Sequence, residues 1–174
     1  MTKEAHATER RTIALLVDNE FGVLARVIGL FAGRGYNIDS LTVSTVDEDK
    51  NLSRITIVTR GTPAVVEHIK ALLAKLVPVH VVRDLTVASP HIEREVGLLK
   101  VKGTGKQRTG ALALADRFGA RVVDSTEESF VFELSDMPEK LDKFIHMMTP
   151  FGLIEVCRTG ITAMARGSEG IDVS

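Results

Sequence analysis

Extended and helical patterns alternate along this chain in the order strand, helix, strand, strand, helix, strand, and the same order recurs more faintly in its second half. Residues 12–17 read as a strand, and 22–34 follow with Leu24, Val27, Ile28 and Phe31 spaced by three and four, the apolar stripe of a helix. Residues 36–46 and 52–60 are two further strands. Asp47, Glu48, Asp49, Lys50 and Asn51 join them as a polar hairpin tip, which makes the pair antiparallel. Thr62 is placed to cap a helix that opens on Pro63, where a missing N–H is tolerated, and turns Val65, Ile69, Leu72 and Leu76 inward through Lys75. Pro78 stops that helix, and 79–87 resume an extended, valine-rich run.

In the second half, 95–102 reads as a strand and 109–118 as a helix with Ala111, Leu114, Ala115 and Phe118 inward. Residues 121–124 and 129–134 pair around Thr126, Glu127 and Glu128, Pro138 opens a helix striped by Leu141, Phe144, Ile145 and Met148, and 153–158 is a last strand. Right-handed crossovers leave one simple way to fold each set: a four-stranded antiparallel sheet with both helices on one face. The class is therefore α+β, two ferredoxin-like βαββαβ units. The division is a tail over 1–11, units over 12–88 and 93–166 with their boundary near Ser89 to Glu93, and a small, polar, disordered tail over 167–174. Each sheet keeps one uncovered face, and about 75 residues make a marginal core, so a second copy is expected against that face or an edge strand.

Composition narrows the function classes. A formal net charge of −1 gives no positive field to concentrate polyanions, so no nucleic acid is expected, and Ile55, Ile57 and Val58 are not the aromatics that stack on RNA bases. No run reaches the roughly 20 apolar residues of a membrane span, and 1–11 lack the apolar core of a secretion signal, which points to the cytoplasm. The single cysteine, Cys157, reads as a packed side chain of a strand rather than a reactive thiol. His6, His68, His80, His91 and His146 lack metal-site spacing, and Gly103-Thr104-Gly105-Lys106 lacks the glycine and hydroxyl positions of a phosphate loop. Glu93-Arg94-Glu95 reads as a solvated face. No catalytic constellation emerges.

The informative stretch is Asp18-Asn19-Glu20-Phe21-Gly22-Val23-Leu24, between the first strand and the first helix. A short loop at a helix start presents unpaired N–H groups at a positive dipole end, which suits a carboxylate. Gly22 permits close approach, and the Asn19 amide can bond a ligand carboxylate, a ligand ammonium or the loop itself; capping the helix is an equal alternative. Gly33-Arg34-Gly35-Tyr36-Asn37-Ile38 closes that helix, and the Asn37 amide stands where it can cross to a neighbouring subunit in a side-by-side dimer.

At these residues the sequence resembles the small regulatory subunit of acetolactate synthase, also called acetohydroxyacid synthase. The resemblance is carried by Asn19-Glu20 through Gly22 and Leu24, Arg26-Val27-Ile28-Gly29-Leu30-Phe31, Arg34-Gly35-Tyr36-Asn37-Ile38, Ser40-Leu41-Thr42-Val43 and Ser53-Arg54. Lys75-Leu76-Val77, Glu93-Arg94-Glu95, Val122-Val123-Asp124 and Lys140-Leu141 extend it over roughly 11–166. It implies an N-terminal amino-acid-sensing ACT domain that dimerises, and a C-terminal ACT-like domain. It further implies a large catalytic subunit carrying thiamine diphosphate, Mg²⁺ and FAD, with no cofactor in this chain. The small subunit would activate that partner and confer feedback by valine, or by leucine or isoleucine, in branched-chain amino acid biosynthesis. Carried over residue by residue, the effector contacts fall on Asn19, Gly22, Val23, Leu24, Asn37 and Ile38; Phe21 departs from the smaller residue usual there. The rival reading is a stand-alone ACT protein that regulates another enzyme or a transcription factor. A small acyl-phosphate hydrolase on the same fold is a poorer fit, because Asp18 and Glu20 stand where a phosphate-cradling loop would be.

Overall fold

The computed structural model describes residues 7–88 and 90–172, so the ends of both expected tails and Ser89 at the expected boundary lie outside the described residues. The chain divides into two compact units, one containing 1–92 with 161–174 and the other 93–160.

In unit 1, β1 (Glu9–Asp18), β2 (Ile38–Asp47), β3 (Leu52–Gly61) and β4 (Val79–Asp84) form an antiparallel sheet in the order β2-β3-β1-β4. Helices α1 (Val23–Ala32) and α2 (Pro63–Leu73) supply the two crossovers. Leu15 stands between Ile55 and Val82 in register, and this face of the sheet packs Ile13, Leu15, Val17, Ile55 and Ile57 against Val27, Phe31, Val66, Ile69 and Leu73. Thr62 caps α2, its hydroxyl accepting the Val65 N–H at 3.4 Å, with Pro63 in the first turn. This is the expected α+β, ferredoxin-like unit.

The ends differ from expectation. Glu9, Arg10 and Arg11 extend β1 by pairing with Gly61, Arg60 and Thr59. After Asp84 the extended run gives way to a single helical turn, α3 (Leu85–Ala88), because the Asp84 carboxylate accepts the Thr86 N–H at 2.9 Å and bends the chain. Past Gly160 the chain returns to unit 1 as β9 (Thr162–Ala165) and a segment to residue 172, lying over the helix-free face of the sheet. Ile161 N–H donates to Ser40 Oγ at 2.8 Å, Thr42 Oγ1 donates to Ile161 O at 3.2 Å, and Arg83 Nη1 donates to Gly170 O at 3.0 Å. Thr12, Ala14, Leu16, Thr56 and Val58, on the face expected to be bare, are buried. By its contacts the segment from 161 groups with unit 1, whereas the expected second unit ran to 166; β9 also pairs with β5 (His91–Lys102). Covering the face leaves the outer edges of the two end strands, β2 and β4, as the places where unit 1 can pair with another strand.

Unit 2 repeats the plan with β5 (His91–Lys102), α4 (Gly105–Phe118), β6 (Arg121–Ser125), β7 (Ser129–Asp136), α5 (Pro138–Met148) and β8 (Leu153–Arg158), in the order β6-β7-β5-β8. Its core packs Leu99, Val101, Phe130, Phe132 and Leu134 against Ala111, Leu114, Leu141, Phe144 and Met148. A buried Glu95 on β5 is gripped by Arg158 of β8, whose Nε donates to Oε1 at 2.9 Å and whose Nη1 reaches Asp142 at 2.7 Å. Cys157, expected to be packed, is exposed, for β8 is an edge strand and residue 157 stands opposite Leu98 on the face away from the helices.

Candidate functional site

The chain turns from β1 into α1 through Asn19, Glu20, Phe21 and Gly22. Gly22 holds φ +85°, a left-handed conformation that L side chains adopt at a cost, while a Cβ there would meet nothing within 4 Å. Glycine is thus required by the backbone rather than by crowding, and the space over the helix start stays open. Among the described residues no side chain caps α1; its ladder begins with Arg26 N–H on Gly22 O at 2.9 Å. Val23 N–H makes one long bond, 3.5 Å to Glu20 O, and Leu24 N–H has no protein acceptor among the described residues. These donors, at the positive end of the helix, face the same open space.

The loop's own charges are partly answered. Asp18 Oδ1 lies 2.7 Å from His80 Nε2, and Glu20 Oε1 lies 3.5 Å from Arg26 Nη1. Asn19 is anchored to the β2–β3 hairpin, its N–H donating to Asn51 O at 2.7 Å, its carbonyl accepting from Asn51 Nδ2 at 3.2 Å and its amide donating to Thr45 Oγ1 at 3.3 Å. Asn51 adopts φ +53°, the one positive value at a non-glycine among the described residues. Its role is absent from the expected site; the signal for it was an asparagine closing a polar hairpin tip, a residue type that accepts this conformation.

The six expected residues do not meet. The Val23 side chain is 4% exposed and belongs to the core, so its backbone is what can reach a ligand, and Leu24 is half-buried beside it. Asn37 and Ile38 lie beyond the far end of α1, a helix of 10 residues and so about 15 Å long. There Asn37 Nδ2 donates to Asp39 Oδ1 at 2.6 Å, Asn37 O accepts from Thr59 Oγ1 at 2.6 Å, and Ile38 is half-buried against the core. Within one chain the expected residues therefore fall into two separate groups, Asn19 to Leu24 at one end of the sheet and Asn37 with Ile38 at the other. Among the described residues no group of three or more His, Cys, Asp or Glu could hold a metal ion, and no helix is long and apolar enough to cross a membrane.

Residues 13–81 match the family described as AHAS small subunit-like ACT domain, and 94–167 match the family described as small subunit of acetolactate synthase. The chain is 43% identical to a probable acetolactate synthase small subunit of Archaeoglobus fulgidus, covering 92% of this chain and 99% of that protein. It is 41% identical to the acetolactate synthase small subunit of Haemophilus influenzae, covering 93% and 99%. The crystal structure of an acetolactate synthase small subunit from Thermotoga maritima superposes with a TM-score of 0.82 at 32% identity, over 92% of this chain and 99% of that one.

Proposed function

Because this chain belongs to the family of acetolactate synthase small subunits, we propose that it is the non-catalytic regulatory subunit of a thiamine-dependent acetolactate synthase. In this reading it binds valine at an ACT dimer interface, activates the large subunit and confers feedback in branched-chain amino acid biosynthesis. Thiamine diphosphate, Mg²⁺ and FAD belong to the large subunit, and the pair works in the cytoplasm.

The observation that carries the reading is the separation of the two half-sites along β2. Thr45, near the end of that strand, touches Asn19, whereas Asn37 and Ile38 open it. Antiparallel pairing of two β2 edges about a two-fold axis sets the start of one strand beside the end of the other. The Asn37 half of one protomer then meets the Asn19 half of its partner, twice per dimer. A valine zwitterion in that cleft has the Leu24 and Val23 N–H groups for its carboxylate and amide oxygens for its ammonium. The half-buried Leu24 and Ile38 receive its branched side chain. Preference among valine, leucine and isoleucine would rest on a methylene or less, about 1–3 kcal/mol.

Binding across an interface couples naturally to quaternary arrangement, since the ligand favours whichever pairing completes its site. The test is reconstitution with the large subunit encoded by the same genome. Stimulated acetolactate formation that falls with added valine is expected, together with dimers by ultracentrifugation. A chain that neither associates with nor stimulates that enzyme would instead be a stand-alone amino-acid sensor, and the proposal would fail.

A further inference from the structure

A cavity of about 480 Å³ lies in unit 1 between the helix-free face of the sheet and the returning segment over 164–172. That volume is within the range of small-molecule sites. Leu16, Leu52, Leu85 and Met164 give it apolar walls, and Arg54 and Arg83 bring positive charge to it. The two arginines differ in how they are satisfied. Arg83 is neutralised, with Nη2 at 3.0 Å from Glu169 Oε2. Arg54 is half-buried, donates from Nη2 to Ala163 O at 2.7 Å, and among the described residues pairs with no carboxylate.

The acidic residues around the cavity are engaged elsewhere. Asp47 Oδ1 accepts the Lys50 N–H at 2.9 Å, Glu169 is held by Arg83, and Asp172 has a partner of its own. Burial pushes the Arg54 guanidinium down from its usual value, the direction for a cation withdrawn from water without a compensating anion. A guanidinium with donors to spare, set against apolar walls, suits a ligand with one anionic end and one apolar end.

We propose that this cavity is a second ligand site, on the opposite face of the sheet from α1, and that it takes a small aliphatic monocarboxylate. The carboxylate sits on Arg54, and the chain lies against Leu16, Leu52, Leu85 and Met164. This assignment stands apart from the valine reading, because it needs neither the α1 loop nor a second protomer.

The probe is 3-methylbutanoate, titrated into the full chain while the methyl signals of Leu16, Leu85 and Met164 are followed by NMR. Its neutral isostere, 3-methylbutanamide, is run in parallel. Saturable shifts are expected with the carboxylate, with affinity at least about tenfold lower for the amide and for the Arg54→Gln variant. Arg54 also holds Ala163 O, so a second variant guards against a merely structural loss. Met164→Trp, at a side chain 65% exposed, narrows the cavity without touching that bond and should abolish the shifts. Excess valine should leave the shifts in place. The proposal is overturned by an absence of saturable shifts, by equal binding of the amide, by binding unchanged in either variant, or by displacement of the probe with valine. Valine calorimetry on the same sample reports the α1 site separately, so the failure of one reading is distinguishable from the failure of the other.

Discussion

Gly22→Asp is the sharpest perturbation of the α1 start. The backbone there holds φ +85° and the Cβ position is open, so the substitution brings no clash and is charged only with the left-handed conformation. That conformation costs a typical L residue about 1–2 kcal/mol, and aspartate is among the residues that tolerate it best. Stability should fall by about 1 kcal/mol, a drop in Tm of about 2–4 °C for a chain of this size. The new carboxylate stands beside the Val23 and Leu24 N–H groups, where the proposed valine carboxylate would sit. Two like charges about 4 Å apart repel by about 1 kcal/mol in water and about 4 kcal/mol at a protein surface of effective dielectric 20. Valine should therefore bind roughly five-fold to a thousand-fold more weakly by calorimetry. Gly22→Asn shares the backbone demand without the charge and should retain most of the affinity. Activation of the large subunit should survive in both variants. Wild-type valine affinity in Gly22→Asp, or equal losses in the two variants, would refute the electrostatic reasoning and move the carboxylate elsewhere.

Other expectations concern the second unit. Arg158→Met strands the buried Glu95 and should cost about 2–4 kcal/mol in urea unfolding, with Glu95→Gln in the same chain recovering at least half of the loss. The Lys140 ammonium, through its hydrogen bond, holds the Asp136 carboxyl below the usual carboxylate range, and Lys100 does the same for Glu155. The folded unit thus binds these protons less readily than the unfolded chain. The stabilisation is complete above the unfolded value of about 4 and is lost as pH falls through the lower folded values, so the urea midpoint should drop between about pH 5 and about pH 2. Lys140→Met should flatten part of that slope. Gly152→Ala combines φ +96° with a Cβ placed 2.0 Å from Lys102 O, and a loss of more than about 2 kcal/mol by thermal unfolding is expected.

The helical stripes and the hairpin were readable because each rests on local chemistry: Leu24, Val27 and Phe31 share one face at helical spacing, and Thr62-Pro63 is a cap followed by a tolerated proline. The turn at Leu85 was hidden inside a valine-rich run, since it depends on where the Asp84 side chain points. Alternation in 154–157 announced a strand and could not say which face would be covered, which is why Cys157 was misplaced. β9 is written in small residues, Ala163 and Ala165, whose period of two is faint without bulky partners. The α1 start was legible as a helix terminus with a flexible glycine. That Asn37, just before β2, bonds Asp39 depends on where two side chains point, and that Asn51 anchors Asn19 follows only once β1 and β3 are paired, with Asp18 opposite Leu52.

The return of residues 161–172 to the first sheet means that the second unit is an insertion within the first. On the ribosome, the strands over 9–84 emerge early with one face bare. Another 68 residues, 93–160, must be synthesised before the covering segment exists, a delay of about 3–14 s at 5–20 residues per second. A nascent chain in that interval, or a message cut short within the second unit, presents a naked sheet to chaperones and to its neighbours. Closure of the first sheet thereby waits on the synthesis of residues 161–172.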